Sequence, residues 1–272
     1  MYTSLNRRWA VRLTLGLLAA TALPAVAPAQ SDLKPIKVGL VAGPQTPVFE
    51  LVKANAARDG LRVQIVEFTD FVQPNEALAA GDIDANSFQH MPYLEQQIKD
   101  RGYKFTVVGP TLLAPVGVYS KKIKSLAELP AGGKIAIPND PSSGGRALHL
   151  LQKEGVVKLR AGTGLLASAM TDIAENPRKI RFVELPAPQL PRVLDDVDAA
   201  IINTIIAVPA GLLPGRDSIA MEGIDSPYVN VIAVRTADKN RPEFAKLLAA
   251  YHSPDVKKYL LDTFKGAVLP AW

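Results

Sequence analysis

The chain reads as an α/β protein of two lobes joined by two extended strands, on three observations. Strand-like and helix-like segments alternate from Ile36 to Val108. The same alternation restarts at Lys134. Two extended stretches, Leu112 to Ser120 and Tyr228 to Arg235, bracket the second set. Strict alternation implies parallel strands with helical crossovers. Two such sets imply two lobes, with the chain leaving lobe one, building lobe two and returning. The boundaries expected are residues 30–114 with 231–272 for lobe one, and 115–230 for lobe two.

Ile36 to Val41 is an apolar run of strand length. Thr46 is the expected N-cap of the next helix and Pro47 its first residue, with Gly60 as the stop after about Asp59. Leu61 to Phe68 alternates and is β-branched, so it is a strand. A helix over Pro74 to Ala80, a short strand over Ile83 to Ser87 and a helix over Pro92 to Arg101, stopped by Gly102, follow. Lys104 to Val108 is the last strand of this set. In the second set Lys134 to Pro138 is a strand. The polar turn Asn139 to Ser143 leads into a helix over about Gly144 to Glu154. Strands at Ile180 to Glu184 and Ala199 to Ile202 flank a short helix at Gln189 to Leu194. Asn203 opens another helix. Pro242 to Tyr251 and Pro254 to Phe264 are amphipathic helices that complete lobe one.

Residues 1–29 stand apart. Arg7, Arg8 and Arg12 precede an apolar run from Leu13 to Leu23, and Ala27-Pro28-Ala29 is an A-x-A cleavage site. A signal peptide and a mature start at Gln30 are expected. The run is short for an uncleaved membrane anchor. Three of the 31 basic residues lie in this leader, which holds no acid. Against 26 acidic residues, the excess of five falls to two without it. That gives no warrant for nucleic acid, which requires a clustered basic face. The chain has no cysteine. This excludes disulfides, thiol catalysis, thiolate metal sites and lipidation of a lipobox cysteine, so a free, non-lipidated periplasmic protein is expected.

In open α/β sheets ligands gather at the carboxyl ends of strands. Those ends carry Phe68-Thr69-Asp70-Phe71, Phe88-Gln89-His90, Asn139-Asp140 and Asn203. Phe88-Gln89-His90 is expected as an exposed tip offering an aromatic face, an amide and an imidazole. Phe71, Phe88 and Tyr93 can wall an apolar pocket. Arg146 can hold a carboxylate bidentately, with helix N-terminal amides as further donors. Asn203 and Asn230 can accept from an ammonium group. Each has a plainer reading. Arg146 can be an ordinary helix arginine, Phe88 core, His90 a hydrogen-bonded structural histidine, and Asn203 an N-cap. Their convergence favours recognition of a small zwitterion over catalysis.

Enzymatic patterns are weak. There is no G-x-S-x-G elbow. Asp82 and Asp84 flank a strand entry. His90, His149 and His252 are far apart, with no H-x-H or H-E-x-x-H. Gly162-Thr163-Gly164 lacks the lysine of a phosphate loop. No cofactor, metal or catalytic residue is expected. The alternative is an enzyme of the same bilobal shape acting on a small amino-acid-like substrate, with His90 as its base.

Val38-Gly39, Glu67-Phe68-Thr69-Asp70-Phe71, Pro74-Asn75-Glu76-Ala77-Leu78, Gly81-Asp82-Ile83-Asp84-Ala85-Asn86 and Phe88-Gln89-His90 resemble the NlpA/MetQ family of substrate-binding proteins. So do Tyr119-Ser120-Lys121-Lys122-Ile123-Lys124-Ser125-Leu126, Pro138-Asn139-Asp140-Pro141, Ala187-Pro188-Gln189-Leu190-Pro191-Arg192, Ile202-Asn203-Thr204 and Ser226-Pro227-Tyr228-Val229-Asn230. The resemblance runs in order along the whole mature chain. It implies a periplasmic-binding-protein type II fold, two α/β lobes on two hinge strands that close on a ligand. It implies a non-catalytic, monomeric receptor for L-methionine, a related amino acid or a methionine-containing dipeptide. The receptor would deliver to the permease of an ABC importer and its ATP-binding subunit. The family's ligand contacts fall on Phe71, Phe88, His90, Tyr93, Arg146, Asn203 and Asn230. This chain departs from the pattern in lacking the family's lipidated cysteine. Ser143 stands where Asn is frequent, and Ile206 and Phe71 where Tyr is.

Overall fold

The computed structural model describes residues 35–272; the expected leader and its cleavage site lie outside them. Two five-stranded sheets organise this region. Their strands are β1 (Ile36–Val41), β2 (Val63–Phe68), β3 (Ala85–His90), β4 (Phe105–Pro110), β5 (Gly117–Tyr119), β6 (Lys134–Pro138), β7 (Arg181–Leu185), β8 (Ala199–Ile202), β9 (Ser218–Met221) and β10 (Asn230–Arg235). Sheet one runs β2-β1-β3-β10-β4 and sheet two β7-β6-β8-β5-β9. In sheet one β1 is parallel to β2 and β3, and β10 lies antiparallel between β3 and β4. In sheet two β6 is parallel to β7 and β8, and β5 lies antiparallel between β8 and β9. Each sheet thus has one internal reversed strand, and each is the first strand built after the chain crosses over.

The helices that pack on the sheets or border the site are α1 (Gln45–Arg58), α2 (Gln73–Ala80), α3 (Met91–Arg101), α4 (Pro141–Lys153), α5 (Thr204–Ala207), α6 (Pro242–Tyr251) and α7 (Pro254–Phe264), and a further single turn spans Pro214–Asp217. α1 buries Val48, Phe49, Val52 and Ala56, an apolar stripe at helical spacing. It packs on α6 and α7, where the Phe49 and Tyr251 rings lie 5.4 Å apart. Burying a ring such as Phe49 contributes about 1.5–3 kcal/mol. The C-terminal helices therefore belong with sheet one. α4 carries Gly145 because a loop crosses it closely. A Cβ on Gly145 would come within 2.2 Å of the Leu165 carbonyl oxygen.

Several boundaries differ from the sequence reading. α1 begins at Gln45, so Thr46 lies inside it; its hydroxyl bonds Glu67 instead of capping. α4 begins at Pro141, because Asp140 caps it by accepting from the Ser143 amide at 2.8 Å. The strand expected over Ile83 to Ser87 runs over Ala85–His90, and all six residues are buried. Phe88-Gln89-His90 is therefore not an exposed tip but the end of a fully buried strand. β3 is an interior strand, held by β1 on one side and β10 on the other.

Residues 111–116 and 222–229 connect the two sheets. They run side by side. The Thr111 amide donates to the Asn230 carbonyl at 2.7 Å, and the Glu222 amide to the Val116 carbonyl at 3.0 Å.

Candidate functional site

A cavity lies where the carboxyl end of β3 meets the first turns of α4 and α5. Phe71, Phe88, His90 and Tyr93 line it from the first set of elements. Arg146 and Asn203 line it from the second, and Asn230 from the start of β10. One cavity thus brings together the seven residues expected as ligand contacts, whereas the strand ends Phe68-Thr69-Asp70 and Asn139-Asp140 do not line it. Gln89, Ala114, Ser143, Thr204 and Ile205 complete the wall.

The apolar side is a three-ring cage. Phe71 and Phe88 stack with centroids 6.2 Å apart, and Tyr93 meets both edge-on at 6.4 and 6.1 Å. The Tyr93 hydroxyl donates to the Phe71 carbonyl at 2.8 Å, which fixes the loop bearing Phe71. Rings so arranged suit an aliphatic or thioether chain, since sulfur contacts ring edges favourably.

Beneath the cage is a buried amide network. Asn75 Nδ2 donates to Gln89 Oε1 at 2.8 Å. Asn86 Nδ2 and Gln89 Nε2 both donate to Asn75 Oδ1, at 2.9 and 2.8 Å. Gln89 Nε2 also reaches Asn86 Oδ1 at 2.9 Å. Buried amides are tolerated only when satisfied. These three satisfy one another and lock the end of β3 in place.

His90 caps α3, its Nδ1 accepting from the Tyr93 amide at 3.2 Å. An accepting Nδ1 puts the proton of the neutral ring on Nε2. Burial, and then the nearby Arg146 charge, hold the His90 pKa well below its usual 6.5. The neutral ring meets Tyr228 edge-on at 5.0 Å. Burial pushes the Tyr228 hydroxyl up to about 12.

Arg146 departs from expectation. Its Nε donates to both oxygens of Glu222, at 3.1 and 3.0 Å, and Nη2 bonds the same carboxylate and the Ala114 carbonyl. The guanidinium also lies 4.6 Å from the centroid of the Tyr228 ring. Among the described residues only Nη1 has no partner. Arg146 is therefore neutralised before any ligand arrives, and it offers one donor group rather than a two-nitrogen fork. The helix amides expected to assist it are used as well. Asp140 takes the Ser143 amide and His90 takes that of Tyr93. Glu222 escaped the sequence reading, because a lone glutamate after a short strand carries no pattern.

On the opposite wall Asn230 Nδ2 donates to the Phe88 carbonyl at 3.3 Å. Asn203 Oδ1 is buried and has no partner among the described residues. This arrangement offers acceptors to an ammonium, a donor to a carboxylate and rings to an apolar chain.

A profile of the NlpA lipoprotein family matches residues 36–272. The chain belongs to the NlpA lipoprotein family. It is similar to the D-methionine-binding lipoprotein MetQ of Salmonella typhimurium, with 48% identity over 94% of this chain and 95% of that one. A nutrient-binding protein from Burkholderia cenocepacia, solved bound to methionine, is 55% identical. It superposes with a TM-score of 0.85, covering 87% of this chain and all (100%) of the other. An ABC-transporter periplasmic substrate-binding protein from Coxiella burnetii is 50% identical, with a TM-score of 0.84 over 87% and 100%. NlpA-family proteins of this kind are substrate-binding proteins with a bilobal fold, not enzymes.

Family membership corrects the expected address. The family and its MetQ member are named lipoproteins. That conflicts with the expectation of a free, non-lipidated protein, which rested on the absence of cysteine. Cysteine content limits the covalent chemistry open to a chain. It is not by itself an address.

Proposed function

We propose that this protein is a receptor that binds methionine, or a close relative, and hands it to the permease and ATP-binding subunit of an ABC importer. One observation carries the reading. The ring cage of Phe71, Phe88 and Tyr93 faces Arg146, Asn203 and Asn230 across one buried cavity. In this reading the side chain enters the cage, where each S–ring contact contributes about 0.3–1.5 kcal/mol. The carboxylate takes Arg146 Nη1, His90 Nε2–H faces the ligand, and the ammonium turns to Asn203 and Asn230. The methionine-bound Burkholderia relative and the MetQ name support the choice of ligand.

The proposal includes two lobes, residues 30–114 with 231–272 and residues 115–230, closing about the paired connecting segments. It also includes a monomer with no nucleic-acid partner. The experiment is a thermal melt of protein refolded to remove bound ligand, with and without L- and D-methionine. A ligand specific to the folded state stabilises by about 2.7 kcal/mol at 100 times its dissociation constant. Absence of a shift with any sulfur amino acid or methionine-containing dipeptide overturns the assignment.

A further inference from the structure

Gln45, the first residue of α1, has an environment that neither its position nor its helix explains. Its side chain is only 2% exposed. Neither Nε2 nor Oε1 has a hydrogen-bond partner among the described residues. α1 draws no cap from it. A buried amide with both atoms unpaired costs roughly 1–3 kcal/mol for each lost interaction. An apolar side chain of the same size would avoid that cost.

Gln45 lines a small side compartment together with Pro44, Leu112 and Val268. This compartment shares a wall with the main cavity. Ala114, Thr204, Ile205 and Asn230 line both. The shared wall is the end of the site that holds the asparagines, where Asn203 Oδ1 is also buried and unpartnered. An α-ammonium has three N–H donors, and no carboxylate lines either cavity to receive them.

We infer that Gln45 is a ligand-contacting residue of the receptor. Its Oε1 joins Asn203 and Asn230 as an acceptor for the ligand's α-ammonium, while its Nε2 is left to donate to the carboxylate of the same head group. The inference rests on the proposed binding of an amino acid. It adds to that reading a residue outside the main cavity and a reason for its buried, unpaired amide. Neutral amide oxygens recognise the ammonium without placing a net charge beside the Arg146–Glu222 pair.

The test uses Gln45→Met, which keeps length and volume and removes both polar atoms. Ligand-free and ligand-bound behaviour should move in opposite directions. The melting temperature of ligand-free Gln45→Met rises, because the unpaired amide is gone. Its affinity for L-methionine falls about ten- to hundredfold, as expected for a lost hydrogen bond to a charged group. Affinity for 4-(methylsulfanyl)butanoic acid, which lacks the ammonium, changes much less.

Three outcomes overturn the inference. One is equal methionine affinity in the two proteins. Another is the same fold-loss for both ligands. The third is a lower melting temperature in the ligand-free variant, which would assign Gln45 to a water-bridged structural role. A wild-type protein that binds methionine while Gln45→Met is unaltered removes this inference alone. A wild-type protein that binds no amino acid removes the receptor reading and this inference together.

Discussion

Glu222 changes what Arg146 can contribute to the cleft. With Nε and Nη2 committed to the carboxylate, Arg146 is positioned in advance and its charge is balanced. Arg146→Ala should therefore do two things. It removes the donor for the ligand carboxylate, lowering affinity at least about thirtyfold. It also leaves Glu222, with a side chain only 14% exposed, without its cation, a loss of about 3–5 kcal/mol. Adding Glu222→Gln should return most of the stability and none of the binding. Urea unfolding beside calorimetric titration separates the two effects, and a double variant no more stable than Arg146→Ala would refute the pairing. Arg146→Lys should rescue little, since an ammonium cannot bond Glu222, Ala114 and ligand in one plane. His90 carries a second prediction. Its pKa is held below 6.5 in the folded state, so as pH falls below about 6.5 the unfolded chain binds a proton that the folded chain refuses. Stability should fall with pH there, by up to about 1.4 kcal/mol per pH unit, until the folded-state pKa is reached. His90→Asn keeps an accepting cap for α3 and removes the titration. Denaturant unfolding between pH 5 and 8 should show a flatter profile for this variant. An unchanged slope would show that the dependence originates elsewhere.

Among elements, β3 is where burial and recognition meet. Its four polar residues Asn86, Ser87, Gln89 and His90 sit in an interior strand, where polar side chains such as Asn are depleted. They are held because Asn75 on α2 pairs with two of them. Asn75→Ala should leave Gln89 Oε1 without its donor, with Asn86 Nδ2 keeping only the Pro74 carbonyl and Gln89 Nε2 only Asn86 Oδ1, and destabilise the protein by about 1–3 kcal/mol, a loss read directly from the urea midpoint. A cost under about 0.5 kcal/mol would mean that the network relaxes without it. The same strand marks the limit of what the sequence discloses. α6 and α7 were readable to the residue, because proline fixes each start and an apolar stripe each length. β6 and β8 were readable as apolar runs. β3 was recognised but begins two residues later and ends three residues later than expected. A polar strand has no alternation to set its register, and its burial depends on α2, β1 and β10 arriving from elsewhere in the chain. The site followed the same rule. Much of its lining could be assembled from strand ends, whereas Glu222 shows only through its bond to Arg146 and Gln45 only through its burial. Helix N-termini looked free in the sequence only because their side-chain caps could not be seen there.

At the scale of the whole molecule the cavity is buried and its one cation is paired, so long-range fields have little to act on. Affinity for a net-neutral amino acid should change less than about twofold between 50 and 500 mM salt, by titration. A steep salt dependence would place an unpaired charge in the cleft. The connecting segments link this site to shape change. Arg146 bonds Ala114 in one segment and Glu222 in the other, so the residue offered to the carboxylate also touches both strands about which the lobes would turn. The reversed strands have a consequence of another kind, for the order of events in folding. Sheet two is made from one continuous stretch whose ends meet, Gly117 lying beside Met221. Sheet one is split, since Val231 must find Gln89 across more than half the described chain. Distant pairings form late because long loops must close first. On a ribosome, the second sheet has every one of its strands before the first can be completed. Pulse-labelled hydrogen exchange during refolding should accordingly protect the amides of β6 and β8 ahead of those of β10, which closes the molecule last.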